Sequence, residues 1–188
     1  LVHEEDEVLL GTANGMSIRF KVSDVRPMGR PSRGVRGIAL SGDDRVIGMD
    51  VIDEAVLADD AQVLAISANG YGKRTPVDEW RLQGRGGKGI IAMVTSERNG
   101  PLVKIRLVRR GEQLMVVTNG GQIIRTHVGQ IRRAGRKTQG VIVLRVADGE
   151  QGGDVEPLAG PDEEDEIEGV DDAPPSEGAQ GGEGPAGG

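Results

Sequence analysis

The chain has 188 residues, 30 Asp or Glu against 23 Lys or Arg, no cysteine, and three aromatic side chains, Phe20, Tyr71 and Trp80. This excludes disulfides, Cys-ligated zinc and thiol catalysis, and leaves too few rings for the stacking platforms of single-strand nucleic-acid binders. No run approaches the ~20 apolar residues of a membrane helix and no signal-like start is present, so the chain reads as a cytoplasmic protein with an aliphatic core.

Leu1 in place of Met reads as the start of a piece of something longer. In chain order the first predicted element is a hairpin, TANGMSIRF (12–20), entered from the apolar run VLL. Its pattern returns twice, as SANGYGKRT (67–75) after VLAI and as TNGGQIIRT (118–126) after LMVV. The tips fall at Asn14-Gly15, Asn69-Gly70 and Gly120-Gly121, and Asn-Gly between strand-like runs predicts a type I′ turn. A second shared motif follows each hairpin: RGVRGIAL (33–40), RGGKGIIAM (85–93) and RKTQGVIVL (136–144). The glycines Gly37, Gly89 and Gly140 recur at intervals of 52 and 51 residues. Self-similarity at that period marks a repeat architecture.

Each unit reads as about four short strands, with units at about 8–60, 61–112 and 113–158. LVKIRLV (102–108) is the last strand of the second unit, and the third shows no convincing counterpart. Nothing longer than a turn or two has helical periodicity. The fold class is therefore all-β, in blades of the propeller kind.

QGRGGKG, comprising Gln83, Gly84, Arg85, Gly86, Gly87, Lys88 and Gly89, holds a G-x-G-x-x-G register. That register binds a dinucleotide only where a helix N-terminus follows, and here IIAMV, a strand-like run, follows instead. No Ser or Thr follows Lys88, which also removes the phosphate-binding P-loop reading. The glycines turn a blade corner, and the corner carries two cations.

Charge divides along the chain. The last 42 residues hold 14 Asp or Glu and no Lys or Arg, leaving 16 acids against 23 bases, a net charge of +7, for residues 1–146. A basic body with an acidic end points toward nucleic acid. Residues 159–188, rich in Gly, Pro and acid, are expected to be a disordered tail.

ANGYGKRTPVDEW, QGRGGKGI, TNGGQIIRT and GRKTQGVIVLR together resemble the C-terminal domain of the DNA gyrase A subunit, over residues 1 to about 158. The resemblance implies a β-pinwheel, a propeller-like disc whose neighbouring blades exchange strands and whose basic rim wraps double-stranded DNA without reading its sequence. It implies an A2B2 complex, formed with the gyrase B subunit plus the rest of the gyrase A subunit, that introduces negative supercoils. The catalytic tyrosine, ATP and Mg2+ would be handled by other domains, leaving this chain without a cofactor or catalytic residue of its own. The family's box reads Q-R-R-G-G-K-G and belongs to the first repeat. With Gly84 in its second place, QGRGGKG looks like the equivalent corner of a later blade, and the chain like roughly the last three blades of a larger disc. The corresponding subunit of topoisomerase IV carries a reduced form of the same domain and stands as the alternative, with a propeller-type protein scaffold behind it.

The residues expected to meet DNA phosphates are Arg33 and Arg36 on the first corner, Arg85 and Lys88 on the second, and Arg132, Arg133, Arg136 and Lys137 on the third. Arg19, Arg74 and Arg125 are either further contacts or structural residues of the rim. The 11 bases between Arg98 and Arg145, against the single acid Glu112, place the most electropositive surface around the second and third blades. Tyr71 occupies a hairpin-tip position matched by Met16 and Gln122, not that of an activated nucleophile. His3 and His127 have no partners at metal-ligand spacing.

Overall fold

The computed structural model describes residues 2–145 and, for the backbone alone, 152–158. Eleven strands and one short helix follow in order: β1 (Glu7–Thr12), β2 (Met16–Lys21), β3 (Val46–Ile52), α1 (Glu54–Ala58), β4 (Gln62–Ser67), β5 (Tyr71–Pro76), β6 (Ile90–Ile91), β7 (Leu102–Val108), β8 (Gln113–Thr118), β9 (Ile123–His127), β10 (Val141–Ile142) and β11 (Gly152–Leu158). They form three antiparallel sheets in the orders β3-β1-β2-β6, β10-β5-β4-β7 and β11-β8-β9. The all-β, bladed expectation is met. The acidic segment expected to be disordered lies outside the described residues.

A sheet and a sequence repeat are not the same residues. β6, from the second repeat, pairs with Met16 and Ser17 of β2 in the first sheet, and β10, from the third, pairs with Tyr71 and Gly72 of β5 in the second. The corresponding stretch of the first repeat, around Ile38 and Ala39, forms no strand. It lies against the second corner instead, with the Ala39 amide donating to the Gly87 carbonyl at 2.8 Å. The third repeat, without a convincing last strand in its sequence, does contribute β11, antiparallel to β8. GGDVEPL lacks the apolar alternation that marks strands, and its pairing comes from the β8 edge that receives it.

The three hairpins turn where the Asn-Gly and Gly-Gly signals put them, but not as type I′ turns. Asn14 and Asn69 keep negative φ and only the glycine is left-handed, with φ of +82° at Gly15, +77° at Gly70 and +81° at Gly121. The Gly15 amide closes on the Thr12 carbonyl at 3.0 Å, as Gly70 does on Ser67 and Gly121 on Thr118. This is a type I turn followed by a left-handed glycine, a bulged hairpin. A Cβ on Gly15 would lie 2.1 Å from the Met93 carbonyl oxygen, so the second repeat packs on the tip of the first.

The core lies between blades. Leu9, Ile52, Val63, Val77, Trp80 and Ile105 fill the space between the first and second sheets, and Leu64, Ile66, Val108, Leu114, Val116 and Ile131 that between the second and third. Every residue of β4 is buried because its sheet is covered on both faces, whereas β9 alternates between exposed and half-buried. Trp80 is the one large ring in an otherwise aliphatic layer, and its indole Nε1 donates to Ser17 Oγ at 2.7 Å, which satisfies its polar edge. The edge strands β3, β7 and β11 adjoin one another, and β6 and β10 occupy the opposite edges. The β3, β7 and β11 edges therefore define the inside of the array and the basic corners its rim.

Candidate nucleic-acid interface

The second and third corners each belong to one repeat in sequence and are built on the blade before it. In the second corner the Gln83 amide donates to the Arg19 carbonyl at 2.9 Å and the Ala92 amide to that of Gly15 at 2.8 Å. Gly89 turns the chain from corner to strand at a φ of +71°, and a Cβ there would sit 2.2 Å from the Ser17 carbonyl oxygen. Gly140 does the same in the third corner, at +75° against Gly72. Only glycine combines that left-handed backbone with so close an approach. Gly84 differs, since a side chain added to it meets nothing within 4 Å.

The first two corners adjoin. The Gly86 amide donates to the Gly37 carbonyl at 2.6 Å, which brings Arg33 and Arg36 beside Arg85 and Lys88. Arg33, Arg36 and Lys88 are exposed. Arg85 is half-buried, its Nε donating to the Asp24 carbonyl at 2.8 Å and an Nη to that of Arg36 at 3.0 Å, so it stitches the two corners to the turn after β2.

The third corner follows the same plan. The Arg74 amide donates to the Arg132 carbonyl at 3.0 Å, the Ala134 amide to the Arg74 carbonyl at 2.9 Å, and the Val94 amide to the Thr138 carbonyl at 3.0 Å. Arg132, Arg133 and Lys137 are exposed, and Arg133 lines a groove with Asp60, Asp78 and Leu57. Arg136 points inward: an Nη donates to the Ile91 carbonyl at 3.0 Å and its Nε lies 3.9 Å from the Glu79 carboxylate. Arg85 and Arg136 are thus anchors of the corners as well as part of their charge.

Arg19 and Arg74 fall on the structural side of the two readings open to them. Arg19 pairs with Glu7 and donates to the carbonyls of Val77, at 3.3 Å, and Trp80, at 3.0 Å, in the 3-10 turn of the next repeat. Arg74 donates to the carbonyls of Ile131, at 2.6 Å, and Gly129, at 3.1 Å, and to Gln62 Oε1 at 2.9 Å. Burial, with Arg110 and Arg133 nearby, lowers the pKa of Arg74 from its ordinary value. Arg125, the third equivalent, is exposed and bonded to Gln113 of its own sheet.

The 11 bases of residues 98–145 do not form one electropositive surface. Arg109 pairs with Asp59 and Glu112. Lys104 and Arg106 sit on β7, the inner edge, opposite the corners. Arg98 lies over the Tyr71 ring, 5.1 Å from its centre, with its Nε on the phenolic oxygen at 3.1 Å. Within that stretch the third corner presents Arg132, Arg133 and Lys137 as exposed cations. Tyr71 is the first residue of β5, held in that contact. Among the described residues no three His, Asp or Glu side chains come together as a metal site, and no helix is long and apolar enough to cross a membrane.

Sequence reasoning missed Lys73. Its side chain is wholly buried and its ammonium donates to the carbonyls of Gly135, at 2.7 Å, Arg136, and Thr138, at 3.3 Å, and to the Thr138 hydroxyl at 3.2 Å. Burial lowers its pKa from 10.5 to about 8, with Glu79 opposing the shift and Arg136 adding to it. The signal was present, because Ile18 and Ile124 hold this strand position in the other repeats, and a lysine there is out of pattern.

Three comparisons agree with this architecture. The family model described as the DNA gyrase C-terminal domain, a beta-propeller, matches residues 6–53, 61–109 and 112–151, one match for each sequence repeat. The DNA gyrase A subunit of Staphylococcus epidermidis is 48% identical over 145 residues, 77% of this chain and 16% of that protein. Its counterpart in Staphylococcus aureus is 47% identical over 148 residues, again 16% of the relative's length, so the chain spans about a sixth of the curated relatives it matches. Among solved structures, a DNA gyrase A C-terminal domain superposes with a TM-score of 0.75 at 24% identity, covering 84% of this chain and 52% of that one. The C-terminal domain of a DNA topoisomerase IV gives the same score at 21% identity, covering 82% and 47%, which speaks to the fold alone.

Proposed function

Because the chain belongs to the DNA gyrase C-terminal domain family, we propose that it is the DNA-binding and DNA-wrapping module of a gyrase A subunit, bending duplex DNA around its rim. The observation that carries this reading is the placement of exposed cations on successive corners, the second and third of which are fixed in position by the preceding blade. Arg33, Arg36, Lys88, Arg132, Arg133 and Lys137 stand on three successive corners along one rim. A duplex presents regularly spaced phosphates, and a protein that wraps it without reading bases needs cations repeated along an arc. No helix of the described chain is placed to enter a major groove, and α1, five residues long, lies outside the corners.

In this reading the module works within the gyrase A subunit, together with the gyrase B subunit, in an A2B2 assembly in the cytoplasm. It supplies the wrapped segment, while strand cleavage, ATP and Mg2+ belong to other domains. The gyrase A relatives near 48% identity favour gyrase over topoisomerase IV as the parent. The test is duplex binding as a function of salt for Lys88→Ala, Arg132→Ala and Lys137→Ala. Each removes one phosphate contact, so affinity falls alike on unrelated sequences and the slope of log K against log salt drops by about 1. Unchanged slopes would assign the corners to an acidic protein partner instead.

A further inference from the structure

We propose that Lys73 is a positioning residue for the third basic corner: from the preceding blade, its buried ammonium holds the 135–138 loop in the shape that presents Lys137 to a phosphate. The inference rests on the reading of the corners as phosphate contacts.

The geometry is that of a cation site filled by a side chain. Carbonyls of Gly135, Arg136 and Thr138 converge on one nitrogen, with the Thr138 hydroxyl completing the shell. Carbonyl dipoles aimed at a common point repel one another, so such a loop holds its shape only around a positive charge or a donor cluster. The Thr138 hydroxyl also bridges back to the Gly135 carbonyl at 2.9 Å, closing the loop over the ammonium.

The second corner shows the contrast. Ile18 stands where Lys73 does and cannot donate. That corner is held instead by backbone bonds, the Gly86 amide to the Gly37 carbonyl and the Ala39 amide to the Gly87 carbonyl, and by Arg85, with its Gly87 beside the Ile18 side chain. The third corner is gathered by the amine, which also places a buried charge directly beneath the rim. In a medium of low polarity that charge adds to the potential a phosphate meets at Lys137. The charged groups facing Lys73 are Glu79, from the 3-10 turn after β5, and Arg136, from the corner itself.

The experiment uses the full chain and measures the salt dependence of its binding to random-sequence duplex DNA, comparing Lys73→Met, Lys137→Ala and the double variant. Lys137→Ala should lower the slope by about 1. Lys73→Met should lower it by about as much, although the residue is buried and reaches no phosphate, and the double variant should be little worse than either, since both act on one contact. If Lys137→Ala lowers the slope and Lys73→Met leaves it unchanged, the positioning role is wrong and the corner assignment stands. If Lys137→Ala leaves it unchanged, the corner assignment itself fails. Should Lys73→Met not fold, the unaltered protein supplies the answer: its slope should weaken between pH 7 and pH 9 as the buried amine loses its charge, and Lys137→Ala should abolish that change. A slope indifferent to pH over this interval would overturn the proposal.

Discussion

Arg74 Nε donates to the carbonyl oxygen of Ile131 at 2.6 Å, so a residue of the second blade's hairpin grips the 3-10 turn that follows β9 in the third repeat. Arg19 grips Trp80 in the same way one blade earlier. With the exchanged strands β6 and β10, these charged bonds to carbonyls fix the rotation of blades whose aliphatic contacts alone would let them slide.

Arg74→Ala should therefore lower stability, by about 2–4 kcal/mol, because it leaves the carbonyls of Gly129 and Ile131 and the amide oxygen of Gln62 without their donor inside the structure. Arg125→Ala, at the matching but exposed position, should cost no more than about 0.5–1 kcal/mol. Chemical denaturation of the two variants makes the comparison, and equal losses would contradict the latch.

The pH dependence of stability should carry a signature of Lys73. Below about pH 8 the amine is protonated in both folded and unfolded chains and contributes no slope. Between about 8 and 10.5 the unfolded chain holds a proton that the folded one has released, so this group makes stability rise with pH across that window. Denaturation midpoints measured from pH 7 to 10.5 should show the rise in the native sequence and lose it in Lys73→Met. DNA affinity should move the opposite way over the same interval, which separates the cost of burying the charge from its use.

Glycines of the second corner should divide sharply. Gly89→Ala must place a methyl within 2.2 Å of the Ser17 carbonyl on a left-handed backbone, and should cost more than about 2 kcal/mol or prevent folding. Gly84→Arg enters open space, should leave the melting temperature nearly unchanged, and should raise duplex affinity with a salt slope steeper by about 1. A destabilised Gly84→Arg protein would mean that the corner is closed to a longer side chain.

The acidic end should compete with DNA. Ten carboxylates in residues 159–188, without a compensating Lys or Arg, are tethered to residues 1–158, whose net charge is +3, and tethering gives them a high effective concentration at the rim. A chain ending at Leu158 should bind duplex DNA more tightly than the full one, with the gain largest at low salt and fading as screening increases. Equal affinities at low salt would leave the segment a solubility device.

The repeat, the blades and the corners are legible in the sequence because their causes are local. A left-handed glycine at Gly15, Gly70 and Gly121 marks a tip wherever the chain goes next, and recurrence at 51–55 residues exposes the unit without any knowledge of its packing. The turn type is not legible, because Asn-Gly allows two solutions and the contact of Gly15 with Met93 belongs to the bulged one. What the sequence leaves open concerns which surfaces the neighbouring blades cover. Arg19, Arg74 and Arg125 share one motif, and only the presence of a following repeat around the first two turns them from rim cations into buried latches. Arg85 and Arg136 carry the same ambiguity, resolved by carbonyls contributed from Asp24, Arg36 and Ile91, far away in the chain. β11 has no strand pattern of its own and exists because β8 offers unpaired backbone groups along its edge. Lys73, polar in a strand of buried residues, requires three carbonyls more than 60 residues away to become a stable feature, and only the folded chain brings them to one point.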